Sequence, residues 1–416
     1  MSQESENIRV PRGFRFSSHA SGIKQSGKPD VSVLVADHAC VTHGAFTQNL
    51  VRASSVDWNE SNIGLNRALV INSGNANACT GEQGEKDTAA MASRLADQVA
   101  CSSDQVLVMS TGIIGEMLPM ELLHQGIDAA FGKLDEKSSS VYDFAEGILT
   151  TDSSPKICSQ EFETERGTFT ILGICKGAGM IGPKMANPKM ATMLCVLLTD
   201  FPLARFDSNS RESYLDNEAE FQAIINRTFN SISVDGHTST SDQVVLFAPV
   251  TDGVPSKGES QPFFNGLEKL CVELAKKIPA DGEGATHLIS IEVRGNYSDA
   301  ELRSVAKTVA DSPLVKTAVF GADPNWGRIV SAAGYDGLEF DPSAMTLWVN
   351  GNLLFENGTP AKFDAAAVSQ SMKENFETEI RLDLGQFSEG ENPNTAKYWT
   401  SDLTYDYVKI NAEYHT

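Results

Sequence analysis

The sequence of 416 residues lacks the features that mark membrane-spanning, secreted and nucleic-acid-binding proteins. No apolar run approaches the roughly 18 residues that a membrane span requires. Segment 1–14 has neither the apolar core of a signal peptide nor the basic composition of a mitochondrial transit peptide. Lys and Arg total 33 against 55 Asp and Glu, a formal charge of −22. A chain this acidic repels phosphate and anionic lipid, so we expect no nucleic-acid or membrane partner and a cytoplasmic location.

Cysteine and histidine are too few and too scattered to form a disulfide framework or a typical metal site. The seven cysteines are odd in number and never spaced as CxxC, which favours a reducing compartment. The seven histidines show neither HxxxH nor HExxH spacing. His38 and His43 flank Cys40 and could form a ligand pair, but ordinary strand residues are the simpler interpretation. The sequence therefore predicts no metal and no resident cofactor.

Signatures of nucleotide-binding proteins and of serine hydrolases are missing as well. The chain contains neither GxGxxG with a following acidic residue nor GxxxxGK[ST], and it contains no GxSxG. Its 41% hydrophobic content and its lack of charge blocks exclude wholesale disorder. A chain of 416 residues is therefore expected to fold as a soluble globular protein of two or three domains.

Apolar, β-branched runs of strand length alternate loosely with segments of helical spacing, which predicts an α/β or α+β fold. Ser298 and Glu301 form a capping box, and Asp364 is a good N-cap. The predicted strands span 31–37, 68–75, 106–112, 169–177, 192–200, 244–250, 287–295, 317–323, 346–351, 380–385 and 404–414. The predicted helices span 87–100, 218–229, 262–277, 298–310 and 364–376.

Small and hydroxyl residues collect after several of the predicted strands. The segments 72–81, 110–115 and 176–180 each combine glycine with polar residues. Glycine after a strand allows a tight turn and exposes N–H groups, so such a loop can hold an anion or an oxyanion. For any single one of these clusters, a tight turn without a ligand is the simpler explanation.

The pair Ala191-Thr192 begins an apolar strand directly after a loop rich in Gly, Pro, Lys and Met. A threonine in this place is what an autoprocessing N-terminal nucleophile requires, because its hydroxyl can attack the preceding carbonyl. The α-amine that cleavage frees titrates near pH 8 and can serve as the base for that hydroxyl. From spacing alone, however, β propensity is the simpler explanation of Thr192.

Five motifs in one order identify a family resemblance: NSGNANACTG, STGIIG, KGAGMIGP, MATML and DGEGATHLI. Segments 11–24, 234–242, 321–329 and 407–416 support it, so that it covers essentially the whole chain. With these motifs the sequence resembles the ArgJ family, the bifunctional glutamate N-acetyltransferase/ornithine acetyltransferases of arginine biosynthesis. The resemblance implies a layered α/β (α+β) sandwich of the N-terminal-nucleophile type, related to the DmpA aminopeptidases, with mixed sheets and flanking helices.

The resemblance implies a reaction that moves acetyl from N-acetylornithine to glutamate, with acetyl-CoA as a possible further donor. It also implies a precursor that cuts itself into chain 1–191 and chain 192–416. The two products are expected to stay together, as two α and two β chains. Ala191–Thr192 would be the scissile bond, Thr192 the nucleophile and acetyl carrier, and Thr111 with Gly112 the oxyanion hole.

Further residues match the family's substrate contacts. Lys176 would pair with a substrate carboxylate, and Glu283 suits a substrate ammonium. One of Thr150 and Thr151 should also bind substrate; we favour Thr151, although the sequence does not separate them. The last two contacts that the resemblance implies are Asn411 and Thr416.

One departure from the family pattern concerns the loop before Thr192. The family reads KGxGMIxPNMATML, whereas here PKMA occurs twice and places Lys176 sixteen residues before Thr192, five more than the pattern. Five extra loop residues cost roughly less than 1 kcal/mol of closure entropy, so the flanking strands should still pair. Self-cleavage needs closer geometry and is expected to be slower. Lys184 and Lys189 replace the usual asparagine in both copies.

Two alternatives remain open at this point. An aminopeptidase or amidase would use the same nucleophile with water as the acceptor. A non-catalytic, uncleaved homologue would result if the inserted residues blocked maturation.

Overall fold

Two β-sheets and the helices that flank them hold the site-bearing loops in place. The computed structural model describes residues 8–183, 185–186, 193–207, 212–215, 218–250, 257–385, 387 and 391–413. In chain order its strands are β1 (Phe14–His19), β2 (Val31–Thr47), β3 (Leu65–Asn75), β4 (Val106–Ile113), β5 (Lys156–Thr164), β6 (Gly167–Lys176), β7 (Met185–Ala186), β8 (Leu194–Thr199), β9 (Ala204–Asp207), β10 (Glu212–Leu215), β11 (Ile232–Ser233), β12 (Gln243–Pro249), β13 (Leu288–Gly295), β14 (Thr346–Val349), β15 (Asn352–Glu356), β16 (Thr359–Pro360), β17 (Glu377–Asp383) and β18 (Asn394–Ser401). Its helices are α1 (Ser54–Asn62), α2 (Gly81–Val99), α3 (Met120–Phe131), α4 (Ser138–Gly147), α5 (Glu218–Arg227), α6 (Lys257–Ala280), α7 (Asp299–Asp311), α8 (Pro313–Phe320), α9 (Trp326–Gly334), α10 (Ala365–Glu374) and α11 (Tyr405–Glu413).

Both large sheets mix parallel and antiparallel pairs. The main path of the first sheet runs β4-β3-β2-β12-β8-β6-β5, and β1 and β7 also pair with β2. In this sheet β8 pairs in parallel with β12 and antiparallel with β6. The second sheet has the order β11-β18-β13-β17-β14-β15-β16. The predicted α/β class with mixed sheets and flanking helices is therefore confirmed.

Strand β8 shows why a continuous apolar run becomes a central strand. Successive side chains of a strand point to opposite faces of the sheet. Cys195 and Leu197 pack into the cluster that contains the apolar residues of α5 and α6, whereas Val196 and Leu198 pack into the cluster on the other face. Each buried Leu or Val contributes about 1.5–3 kcal/mol to folding. A strand covered on both faces needs apolar residues at every position, as this run provides.

The strands on either side of the duplicated PKMA unit remain paired. Lys176 at the end of β6 is in register with Leu194, the first residue of β8. Leu194 is also in register with Gln243, the first residue of β12. The prediction that the flanking strands pair in spite of the longer loop is confirmed. Residues 187–192 lie outside the described residues, and the effect on self-cleavage stays a prediction.

The predicted division at residue 192 cuts through the first sheet and not between two separate bodies. Strands β8 and β12 follow that residue, yet they lie between β2 and β6, which precede it. Chains 1–191 and 192–416 would therefore share one hydrogen-bonded sheet after cleavage. Cleavage itself stays a prediction.

Two predicted strands are wrong, and in each a capped helix replaces the strand. Segment 317–323 lies largely in α8, where the hydroxyl of Ser312 caps the first turn. Residues 405–413 of segment 404–414 form α11, and Thr404 Oγ1 accepts a hydrogen bond from the N–H of Tyr407 at 3.2 Å. The caps lie at or before the start of each run, so β propensity within the run does not decide the outcome.

Two predicted helix starts are confirmed. Ser298 and Glu301 exchange both hydrogen bonds of the capping box at the start of α7. The Asp364 carboxylate accepts hydrogen bonds from two N–H groups in the first turn of α10. Among the residues that the structure describes, no helix combines the length and the apolar character needed to cross a membrane.

Candidate active site

The buried ammonium of Lys176 brings three distant segments together. Lys176 ends β6 and is 8% exposed. Its Nζ donates hydrogen bonds to Thr111 Oγ1 at 3.0 Å and to Thr150 Oγ1 at 2.8 Å. Three residues that the sequence analysis singled out thus meet at one point. We call Lys176, Thr111 and Thr150 the lysine end of the site.

The two threonines that the sequence did not separate have different surroundings. Thr150 is partly buried and contacts Lys176, whereas Thr151 is exposed. The geometry favours Thr150 as the substrate contact, in contrast to the preference for Thr151. Which of the two binds substrate stays a prediction.

Thr111 and Gly112 lie near the end of β4, where its pairing with β3 becomes irregular and only glycine fits at position 112. The φ of Gly112 is +135°, and a Cβ there would lie 2.3 Å from the carbonyl carbon of Gly74. Thr111 Oγ1 accepts its bond from Lys176, and within the described part of the chain no bond donated by this hydroxyl is present. The hydroxyl hydrogen is therefore available to donate to a ligand oxygen, as an oxyanion hole requires.

A network of buried charges supports the lysine end. The Asp152 carboxylate accepts hydrogen bonds from the N–H groups of Gly177 at 2.6 Å and Thr150 at 3.2 Å. Lys156 Nζ lies 2.7 Å from Asp152 and 2.6 Å from Asp281. Burial acts to raise the pKa of Asp152, but Lys176, Lys156 and the Gly177 N–H outweigh burial and lower the pKa to about 2. Asp152 therefore stays ionised and holds the loop beside Lys176.

Burial has the opposite effect on Lys176 itself. It lowers the pKa of the ammonium, although Asp152, Asp242 and Glu283 all act to raise it. The hydrogen-bond partners of Nζ in the described residues are hydroxyls, and none is a carboxylate. A substrate carboxylate would complete the charge pair that this cation lacks.

Asp242 is a functional candidate that the sequence analysis missed. It is 1% exposed, and its Oδ2 has no hydrogen-bond partner among the residues that the structure describes. Burial raises the pKa of this carboxyl well above its ordinary value, against the attraction of Lys176. The neighbouring Gln243 N–H donates to Met193 O at 2.6 Å, so Asp242 lies beside the start of β8. It is the last residue of segment 234–242, which supports the family resemblance but gives Asp242 no role of its own.

Glu283 and Asn411 form the second part of the site, which we call the glutamate end. Asn411 Nδ2 on α11 donates to Glu283 Oε2 at 2.8 Å. The N–H of Glu283 donates to Ala178 O at 2.9 Å, which ties the turn to the segment after β6. A Cβ on Gly179 would lie 2.4 Å from the Glu283 carboxylate, so the glycine permits this close approach. Two residues that the family pattern placed far apart in sequence are therefore in contact.

Three predicted site residues lie outside the described residues: Ala191, Thr192 and Thr416. The described residue nearest to the first two is Met193, whose carbonyl accepts the bond from Gln243. Leu194, two residues after Thr192, is in register with Lys176. The roles of these residues stay predictions.

Asp152, Lys156 and Asp281 were also missed at the sequence level. The available signal was their position: Asp152 directly follows Thr151, and Asp281 lies two residues before Glu283. Within the described ranges, no group of three or more His, Cys, Asp or Glu side chains could hold a metal ion. A cavity of about 1110 Å³ lies elsewhere, between α6 and the second sheet, and contains none of the predicted site residues.

Comparison with known proteins places the chain in a family. The ArgJ family model matches residues 15–416. The arginine biosynthesis bifunctional protein ArgJ of Rhodopirellula baltica is 43% identical over 418 residues, which cover 98% of this chain and 96% of that protein. The protein of the same name from Gloeobacter violaceus is 40% identical, with 98% of both chains covered.

Solved structures are also similar to parts of the chain. The structure of ornithine acetyltransferase complexed with ornithine from Mycobacterium tuberculosis is 35% identical with a TM-score of 0.41, and the match covers 42% of this chain and 94% of that chain. The full-length sequence matches confirm the resemblance, and with it an enzyme of arginine biosynthesis of the acyltransferase class. This chain belongs to the ArgJ family.

Proposed function

We propose that the enzyme moves an acetyl group from N2-acetylornithine to glutamate through an acetyl ester on Thr192, by a ping-pong mechanism. The observation that carries the proposal is the buried Lys176 ammonium, held by the hydroxyls of Thr111 and Thr150. It offers a fixed cation for the carboxylate that both amino acids share. Membership of the family and the name of its relatives support the same reaction.

Maturation is the first chemical step of the proposal. The hydroxyl of Thr192 attacks the carbonyl carbon of Ala191, and the peptide bond becomes an ester. Water then hydrolyses the ester, which leaves a carboxylate on Ala191 and an α-amine on Thr192. Since β8 and β12 lie inside the first sheet, the two products would stay joined by strand pairing.

Acetyl transfer then uses the new α-amine as the base. It accepts the proton of the Thr192 hydroxyl while that oxygen attacks the acetyl carbonyl of N2-acetylornithine. The developing oxyanion takes hydrogen bonds from the Thr111 hydroxyl and the Gly112 N–H, and each such donor is typically worth about 3 kcal/mol. Ornithine leaves with the proton. The amine of glutamate attacks the acetyl ester by the reverse steps and restores the free hydroxyl.

The two ends of the site suit the two ends of the donor. Lys176 pairs with the α-carboxylate of the donor. This contact stabilises the charged form of an ammonium whose pKa is lowered by burial. Glu283 pairs with the side-chain ammonium of the donor, and Asn411 orients that carboxylate. Assembly as two α and two β chains, acetyl-CoA as a further donor and a cytoplasmic location stay predictions.

Two measurements on the purified enzyme test the proposal. N-terminal sequencing should find a second fragment that begins Thr-Met-Leu-Cys, and release of ornithine from N2-acetylornithine should require glutamate. Release that proceeds equally well without glutamate would instead identify an amidase. A single uncut chain without acetyl transfer would identify the uncleaved homologue, and an uncut chain with full activity would exclude Thr192 as an N-terminal nucleophile.

A further inference from the structure

Lys156 is a buried lysine to which the proposed reaction gives no role. It begins β5 and is 1% exposed. Its Nζ lies between two carboxylates, at 2.7 Å from Asp152 Oδ1 and 2.6 Å from Asp281 Oδ2. Burial acts to lower the pKa of Lys156, but the two aspartates outweigh burial and raise it. The ammonium is therefore a permanent charge clamped from both sides.

One of these carboxylates belongs to the lysine end. Asp152 accepts hydrogen bonds from the N–H of Thr150, whose hydroxyl binds Lys176, and from the N–H of Gly177, which follows Lys176. The position of Asp152 thus fixes the backbone on both sides of the Lys176 ammonium. Lys156 in turn fixes the position of Asp152.

The other carboxylate belongs to the turn that carries the glutamate end. Asp281 follows α6 and accepts a hydrogen bond from the N–H of Ser153 at 3.0 Å. Two residues later, the N–H of Glu283 donates to Ala178 O at 2.9 Å. The turn is therefore held at both points against the segments that form the lysine end.

We infer that Lys156 is a positioning residue that sets the separation between the Lys176 ammonium and the Glu283 carboxylate, and with it the length of side chain that the donor carries. This inference rests on the proposed function, in which these two groups bind opposite ends of the donor. Nα-acetyllysine is longer than N2-acetylornithine by one methylene. A rigid span rejects the longer donor because only one of its two charges can pair at a time.

The test compares Lys156→Met with a matched control, Lys277→Met. Lys277 Nζ donates to Ile157 O on β5 at 3.0 Å and lies 3.1 Å from Glu273, so it also links α6 to β5. Among the described residues its ammonium contacts neither Asp152 nor Asp281, and the Lys277 carbonyl, which accepts a hydrogen bond from the Asp281 N–H at 3.2 Å, is unchanged by the substitution. In the control, a structural link between the same two elements is lost while the clamp stays intact.

Steady-state kinetics with N2-acetylornithine and with Nα-acetyllysine, each with glutamate as acceptor, give the readout. In Lys156→Met we expect KM for N2-acetylornithine to rise about tenfold, with a smaller change in kcat. The donor ratio, kcat/KM for N2-acetylornithine divided by kcat/KM for Nα-acetyllysine, should fall by roughly tenfold in Lys156→Met. Lys277→Met should keep the wild-type donor ratio. Lys156→Arg keeps the cation between the aspartates and should recover part of that ratio.

If folded Lys156→Met has the wild-type donor ratio, the positioning role of Lys156 is wrong. It is also wrong if the donor ratio falls equally in Lys277→Met. If Lys156→Met does not fold, Asp281→Asn decides the question, because it retains an oxygen for Ser153 but removes the charge that pairs with Lys156. It should lower the donor ratio in the same direction, and an unchanged ratio overturns the inference. Wild-type enzyme that transfers no acetyl from N2-acetylornithine overturns the proposed function as well, which separates the two failures.

Discussion

The lysine end and the glutamate end of the site are built in different ways. Lys176 is 8% exposed and is held by hydroxyls from two other segments, next to a buried charge network. Glu283 is only partly buried, and its partner Asn411 is exposed on α11. In the proposed reaction, the lysine end binds the carboxylate that donor and acceptor share, and the glutamate end faces the part in which ornithine and glutamate differ. The proposal therefore places the more rigid end where the two substrates are the same.

The difference also has an electrostatic side. Burial of Lys176 lowers its pKa, so the protein holds that cation at a free-energy cost that a bound carboxylate offsets. Glu283 remains close to solvent, where a charge pair is typically worth about 1 kcal/mol or less. The lysine end should therefore contribute more of the binding free energy than the glutamate end.

The largest effect is expected for Thr192→Ala, which removes the nucleophile and leaves both ends in place. The variant should run as one uncut chain on denaturing electrophoresis and show no acetyl transfer. Because neither end is altered, calorimetry should still detect ornithine binding. Acetyl transfer at the wild-type rate would remove Thr192 from the mechanism.

Lys176→Met removes the ammonium from the lysine end. Loss of a hydrogen-bonded charge contact of about 2–3 kcal/mol should lower kcat/KM on the order of 100-fold for N2-acetylornithine and glutamate alike. The exposed Lys86 on α2 supplies a control, Lys86→Met, which should have no effect. Values of KM that remain at the wild-type level for both substrates would show that Lys176 does not bind the shared carboxylate.

Asp152→Asn tests the charge network under the lysine end by its pH dependence. The pKa of Asp152 is lowered from 3.8 to about 2, so the ionised carboxylate stabilises the fold above pH 3.8 and this contribution is lost as the pH falls towards 2. The lowered pKa corresponds to a contribution of about 2 kcal/mol to the free energy of unfolding at pH 7. In urea unfolding, Asp152→Asn should be less stable than wild type at pH 7, and the difference should narrow below pH 3. If the free energies of unfolding of the variant and the wild type differ by the same amount at every pH, Asp152 does not stabilise the fold as an ionised carboxylate.

The smallest effect is expected for Glu283→Gln at the glutamate end. It should raise KM for N2-acetylornithine by about fivefold, roughly 1 kcal/mol, since one partly exposed charge pair is lost. KM for glutamate should change less, because the acceptor has no side-chain ammonium. Equal increases for both substrates would show that the two ends do not divide the substrate as proposed.

The strands around the site could be predicted because their residue pattern is local. Runs such as 106–112 and 244–250 are apolar and β-branched, and they form β4 and β12. The run 404–414 also has strand-like composition, but the cap at Thr404 and the contact of Asn411 with Glu283 accompany a helix. Where tertiary contacts compete with local propensity, the pattern in the run is not sufficient.

Sequence motifs named candidate site residues, but only the structure showed which of them are in contact. The family pattern named Lys176, Thr111 and Thr150 or Thr151, and the structure brings the first three together. Asp152 and Lys156 belong to none of the motifs, and Asp281 begins the motif DGEGATHLI but was given no role, because charged residues are ordinarily solvated. Their burial against one another was visible only once the chain was folded.

The amino-acid sequence by itself determined the central strands, the capped starts of α7 and α10, and the family to which the chain belongs. These features depend on neighbours in sequence: alternation, capping and ordered motifs. Only the tertiary structure decided which charges meet. Lys176 and Thr111 are 65 residues apart and Lys156 and Asp281 are 125 apart, so hydrogen bonds of about 3 Å between them require the folded sheet to bring them together.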